Sequence, residues 1–125
     1  MIWTYRCKVD RVIDGDTIQV TIDCGFYITL AERIRLLGID TSEMHSSDPV
    51  LRARAVEAKN FTTNWIAVAD AEVPTNIDIE WPFELETYKS DAFGRWLGIL
   101  RRFSDRKILN DDLSSAGLAV PWKKK

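Results

Sequence analysis

Arg6-Cys7-Lys8-Val9-Asp10-Arg11-Val12-Ile13-Asp14-Gly15-Asp16-Thr17-Ile18-Gln19-Val20-Thr21-Ile22-Asp23 reads as two strands joined by a tight turn. Asp14-Gly15 is a strong hairpin signal because both residues tolerate positive φ. Ile18, Val20 and Ile22 alternate with Gln19, Thr21 and Asp23, the pattern of a half-buried strand. The expected strands cover residues 5–13 and 16–23, which sets residue 7 opposite residue 22. Cys24 is then a diagonal neighbour of Cys7, so a disulfide is geometrically open but not favoured in a reducing compartment. The two cysteines and the single His45 match no zinc spacing.

Working outward, Asp23-Cys24-Gly25-Phe26 marks a second turn and residues 27–39 a long third strand, with a break near Ala31-Glu32. In that strand Ile34, Leu36 and Gly38 share one face, and Arg33, Arg35 and Leu37 the other. Arg35 therefore sits beside a buried stretch and needs a partner for its charge. Asp48-Pro49 has the form of a helix start, a capping carboxylate followed by proline at the first helical position. The helix is expected to run to about Ala69, with Leu51, Ala55, Ala58, Thr62 and Trp65 facing inward. Ile77-Asp78-Ile79-Glu80-Trp81 alternates as a fourth strand, and Pro82 marks an edge or bulge. Tyr88 to Asp91 form a loop, Trp96 to Phe103 a fifth strand, and Ile108 to Ala116 a short helix closed by Gly117 as a left-handed cap. The order β-β-β-α-β-β-α predicts an α+β, mostly β fold: a five-stranded Greek-key barrel of the OB type with one long and one short packed helix.

A length of 125 residues predicts one domain, over residues 1–122, followed by a disordered Lys123–Lys125 tail. The chain is 46% hydrophobic and 29% charged, which fits a globular protein and excludes a disordered one. No apolar run approaches the roughly 20 residues of a membrane span. The N-terminus goes directly into strand-like sequence without the marks of a secretory signal, so a cytoplasmic location is expected. A net charge of −2 argues against a bulk polyanion binder, but the charge is divided. Residues 1–85 hold 8 basic and 14 acidic side chains, and residues 86–125 hold 9 and 5. An acidic site beside a basic region suits work on nucleic acid; a solvated face is the plainer reading.

Asp16 directly follows the hairpin turn, and Asp40 and Glu43 follow the third strand three residues apart. Asp16 and Asp40, with the Thr41 carbonyl and waters, form an oxygen set of the kind calcium accepts. Glu43 can then reach a water, and guanidiniums such as Arg35 and Arg95 can grip a phosphate. Each residue alone has a structural explanation. Asp14 reads as a turn former, Asp16 as a turn carboxylate, Asp40 and Glu43 as turn caps or partners of Arg35, and Arg95 as a surface residue. His45 reads as a solvated loop residue, and Trp3, Trp65, Trp81 and Trp96 as core.

Val12-Ile13-Asp14-Gly15-Asp16-Thr17, then Arg35-Leu36-Leu37-Gly38-Ile39-Asp40-Thr41-Ser42-Glu43, then Phe93-Gly94-Arg95, in this order, resemble the staphylococcal (thermonuclease-like) nuclease family. Ile108-Leu109-Asn110 through Gly117-Leu118-Ala119 is similar to that family's second helix and exit, and the likeness covers roughly residues 5–120. The resemblance implies an OB-type barrel that hydrolyses phosphodiester bonds of DNA or RNA with calcium and leaves 3′-phosphate ends. It implies Asp16, Asp40 and the Thr41 carbonyl as calcium ligands, Arg35 and Arg95 as phosphate clamps, and Glu43 as the group that handles the attacking water. The sequence also departs from the family. Ser42 stands where the family usually has proline. A phosphate-holding Lys-Tyr pair is replaced by Ala92-Phe93, which leaves Lys89 as the compensating cation. Tyrosines of a third helix have no counterpart, which leaves Trp122 in their place. Lys89, Phe93 and Trp122 are thus the candidate substrate contacts. The Asp23 to Phe26 turn looks more like small phage and bacterial relatives, implying a phage- or plasmid-encoded protein. The competing reading is a non-catalytic OB-type nucleic-acid-binding module, which needs no metal. Such modules typically lose the acidic and arginine residues that are all present here.

Overall fold

The computed structural model describes residues 3–72, 81–89 and 95–121. Its elements are β1 (Trp3–Asp14), β2 (Thr17–Asp23), β3 (Thr29–Leu36), β4 (Ile39–Thr41), α1 (Pro49–Glu72), β5 (Phe83–Tyr88), β6 (Trp96–Arg102), α2 (Leu109–Ser115) and β7 (Ala119–Pro121). Five of the strands close a barrel in the order β1-β2-β3-β6-β5, with β3 and β6 parallel and the other pairs antiparallel. This is the OB-type α+β fold expected from the strand order, with one long and one short helix packed against it. No helix among the described residues is long and apolar enough to cross a membrane.

The opening hairpin pairs Cys7 with Ile22, as expected, but by a different route. Asp14 pairs with Thr17, so Gly15-Asp16 is the turn, and two irregularities between Val9/Arg11 and Val12/Asp14 restore the register. Gly15 does not adopt positive φ. Its role is close approach: a Cβ there would lie 2.7 Å from the Cβ of Ala58 on α1. The turn is therefore pressed onto the helix, and Thr62 Oγ1 donates a 2.8 Å hydrogen bond to the Gly15 carbonyl.

Helix α1 begins as its sequence predicts. Asp48 Oδ1 accepts the Val50 N–H at 2.9 Å. Ala55, Ala58, Thr62, Trp65 and Ala69 are buried at helical spacing, whereas Leu51 is 41% exposed and lies outside the expected inner stripe. Leu51 sits in the first turn of the helix. At the other end Trp65 stacks on Phe83, with ring centroids 5.9 Å apart.

Two expected strands move. The strand read over residues 77–81 falls, apart from Trp81, outside the described residues, and the barrel strand that follows α1 is Phe83–Tyr88. Pro82 precedes this strand rather than ending one, a place where a missing N–H costs nothing. Phe83 and Leu85 point inward and are fully buried, alternating with half-buried Glu84 and Glu86. The long third strand ends at Leu36, because Gly38 turns the chain at φ +81. Ile39–Thr41 then leaves the barrel and pairs with Ala119–Pro121 in a separate two-stranded sheet.

The core is the barrel interior and its seam with the helices, including Ile18, Val20, Ile34, Leu36, Leu85, Leu100, Leu109 and Leu113. Of the four tryptophans read as core, Trp65 is buried and Trp81 half-buried, but Trp3 and Trp96 are 55% and 43% exposed. Both cysteines are free thiols. Cys24 is exposed, and burial, helped by the nearby Asp10 charge, pushes the Cys7 thiol up to about 12.

Candidate active site

The hairpin turn, the end of β3 and the start of β4 meet at a cleft of about 160 Å³. Asp16, Arg35, Asp40, Thr41, Glu43 and Arg95 all line it, as do Asp14 and His45. All six residues read from the sequence as ligands, clamps or water-handling groups therefore share one space. Lys89 does not line it; it borders a larger cavity. Phe93, Trp122 and Lys123–Lys125 lie outside the described residues.

Each side chain is placed by a local cause. Thr17 pairs with Arg35 across the β2–β3 ladder, and the period-2 alternation that buries Ile34 and Leu36 turns Arg35 to the opposite face. Asp16 is 6% exposed. Its Oδ2 accepts the Thr41 N–H at 3.0 Å and its Oδ1 accepts the Thr17 hydroxyl at 3.0 Å, which ties the turn to β4. The Arg35 guanidinium nitrogen Nη2 donates to Asp40 Oδ1 at 2.7 Å and to the Ile39 carbonyl at 3.2 Å, and lies 3.4 Å from Asp16 Oδ2. Arg35 thus finds the charge partners that its position beside the core demands. Asp40 and Glu43, which follow the third strand three residues apart, lie on a further strand and the loop after it: Asp40 and Thr41 belong to β4, opposite Val120 and Ala119.

Two supports for this arrangement escaped the sequence reading. Strand β7 is only three residues long, too short to show any periodicity. Asn110, 5% exposed, donates from its amide nitrogen to the Leu37 carbonyl at 3.0 Å and the Gly98 carbonyl at 3.1 Å. Its amide oxygen accepts the Leu100 N–H at 3.3 Å. The amide pins the bend through which the chain enters Asp40. The available signal was an asparagine beside Leu109 at the start of the short helix, which must find partners once buried.

The donor set suits a hard, oxygen-preferring cation. Two carboxylates converge, and the buried Thr41 Oγ1 has no hydrogen-bond partner. Burial pushes the Asp40 carboxyl up; Arg35 opposes this, but the Asp16 and Glu43 charges and contact with the Asp16 side chain add to it. Burial is the main cause, and the neighbouring carboxylates add to it. Among the described residues no group of three His, Cys, Asp or Glu side chains forms a ready ligand set. The protein would contribute two carboxylates and the Thr41 carbonyl, and water the remainder, as hard divalent cations readily accept.

Comparison with known proteins gives the same neighbourhood. The chain is 30% identical over 117 residues to a thermonuclease of Staphylococcus hyicus, across 90% of this chain and 56% of that protein. It is 31% identical over 116 residues to a thermonuclease of Staphylococcus intermedius, across 89% of this chain and 56% of that one. The chain is similar to thermonucleases. It is also 26% identical over 117 residues to an uncharacterised protein of Methanocaldococcus jannaschii, across 85% of this chain and 53% of that protein. The chain thus spans about half the length of the curated relatives it matches. No protein-family model matches it.

Proposed function

We propose that this protein is a calcium-dependent nuclease of the staphylococcal nuclease family that hydrolyses phosphodiester bonds of DNA or RNA. The observation that carries the reading is the convergence of Asp16, Arg35, Asp40, Glu43 and Arg95 on one cleft, in a chain about 30% identical to two thermonucleases. Asp16, Asp40 and the Thr41 carbonyl would hold the cation. When bound, calcium supplies positive charge that polarises a phosphate oxygen. Glu43 is exposed at the cleft, positioned to orient a water and accept its proton for in-line attack on phosphorus. Arg35 and Arg95 donate hydrogen bonds to the phosphoryl oxygens as negative charge builds there. For Arg35 this requires the substrate phosphate to take over part of the role that Asp40 fills in the free protein. The bond to the 5′ oxygen breaks, that oxygen takes a proton from solvent water and leaves as a hydroxyl, and the product carries a 3′ phosphate.

A direct test is cleavage of matched DNA and RNA strands by purified protein, with calcium and with chelator, and with both product ends identified. Calcium-dependent cleavage that Glu43→Gln lowers at least tenfold supports the reading. Salt-dependent binding that ignores both calcium and Asp16→Ala, without cleavage, would support the binding-module alternative.

A further inference from the structure

We propose that the larger cavity, at the open end of the barrel, binds a nucleobase of the strand whose phosphate lies in the cleft, with preference for bases that carry an exocyclic amine. The proposal rests on the nuclease reading of the cleft. The cavity measures about 450 Å³ and is bordered by Trp3, Tyr5, Glu32, Tyr88, Lys89 and Trp96. This volume and its aromatic walls are those of a small-ligand site rather than a packing defect.

The rings are available. Trp3 and Trp96 are 55% and 43% exposed, unusual for tryptophan in a folded domain. Among the described residues the stacked ring pair is Trp65 on Phe83, deep under α1; the rings at the mouth stack on none of one another. A planar guest can therefore use their faces, and every base has a π face to offer.

The polar groups narrow the guest. Glu32 and Lys89 border the same cavity, and neither forms an ion pair with the other or with any described residue. An ionised carboxylate only accepts hydrogen bonds. Cytosine, adenine and guanine present amine donors to it, whereas thymine and uracil present an additional carbonyl oxygen in place of the amine. Lys89 supplies a positive charge at the same opening, suited to the phosphate that accompanies the base.

Position links the cavity to the cleft. The β3–β6 ladder starts with the pair Ile34 and Trp96, and both border the cavity. Their chain neighbours, Arg35 and Arg95, line the cleft. Since successive side chains on a strand face opposite ways, Ile34 and Arg35 set the two spaces on either side of β3, a single residue step apart, and Arg95 comes directly before β6. A strand gripped by the two guanidiniums can place a neighbouring base at the mouth.

The test uses the whole chain, chelator, and three single strands of equal length: oligo-dC, oligo-dT and an abasic strand. Oligo-dC is expected to bind about tenfold or more tightly than the abasic strand, and about tenfold more tightly than oligo-dT. Trp96→Leu should remove most of the first difference, and Glu32→Gln most of the second. Both sites are at least partly exposed, and circular dichroism checks that the folds are kept. With calcium, Trp96→Leu should raise KM and leave kcat unchanged. Equal binding of oligo-dC and the abasic strand by wild type overturns the proposal; if calcium-dependent cleavage persists, the nuclease reading stands. Base-dependent binding that survives both substitutions places the base elsewhere and also overturns it. Base-dependent binding that both substitutions abolish, with no cleavage in calcium, overturns the nuclease reading and leaves the cavity as a base site.

Discussion

Arg35 and Arg102 are both drawn below the protein surface, with side chains 13% and 7% exposed, yet they occupy opposite kinds of surroundings. Arg102 is enclosed by partners of its own fold. It makes two hydrogen bonds to Asp105, at 2.7 and 3.1 Å, donates to the Trp65 carbonyl at 3.1 Å, and lies 4.4 Å from the Trp65 ring centroid. Arg35 stands at the wall of an open cleft between two carboxylates. A buried guanidinium with all three of its nitrogens hydrogen-bonded within the fold is a packing device. One that faces a surplus of negative charge in a cleft can exchange partners with a ligand. The same distinction revises the basic C-terminal region. Arg101 pairs with Glu84 at 2.8 Å, and Arg106 lies 3.6 Å from the same carboxylate. Three of the nine basic residues of that region, Arg101, Arg102 and Arg106, are thus paired with carboxylates of the fold itself.

The comparison is sharpest in mutants. Arg35→Ala should lower kcat for phosphodiester cleavage by about 10²–10³-fold, with the barrel still cooperatively folded by thermal melting. A variant as active as wild type would remove Arg35 from the reaction. Arg102→Ala should do the reverse: a loss of about 3 kcal/mol in denaturant unfolding, because a buried pair and a cation–π contact are broken, with activity per folded molecule retained. Gly15→Ala touches both worlds. Its new methyl would meet Ala58 at 2.7 Å, so about 1–3 kcal/mol should be lost as turn and helix part, and Ala58→Gly should restore part of it. If the single mutant is neutral, the turn is not pressed onto α1 as described.

The smallest effect concerns acid. Burial disfavours the ionised Asp105 carboxyl, but the Lys107 N–H, the Arg102 hydrogen bonds and both positive charges outweigh it, holding the carboxyl below the usual range. A carboxyl depressed in the folded state contributes stability that is present above the unfolded value, about 3.9. That stability fades as pH falls from there through the folded value. Denaturant midpoints of wild type and Asp105→Asn should therefore differ at neutral pH and begin to converge only as pH falls below about 4. Parallel curves would dissociate Asp105 from the Arg102 cluster.

Much of this was legible in the sequence because the signals were long or chemically specific. The alternation of Ile18, Val20 and Ile22 gave β2, Asp48-Pro49 gave the start of α1, and Arg35 beside buried residues demanded acidic partners, which it has in Asp16 and Asp40. The opening turn was found for a reason that does not hold: Gly15 serves contact with the helix, not a positive φ. Phe83–Tyr88 was hidden because Pro82 reads equally well as the end of one strand or the approach to another. Strand β7 and the Asn110 clamp were illegible because both are tertiary. Three residues have no period, and an amide does not announce which carbonyl it will meet. The exposure of Trp3 and Trp96 was missed for a related reason: tryptophan composition says core unless the space opposite the ring is known.

The β4–β7 ladder also ties the site to a distant stretch of the sequence. Asp40 and Thr41 are fixed partly by Ala119–Pro121, about 80 residues later in the chain. Domains generally fold as units. The acidic half of the cleft is therefore complete only with the segment at Ala119–Pro121 in place. On the nuclease reading, a change at Ala119–Pro121 would act on the proposed metal ligands through β4, from about 80 residues away in sequence.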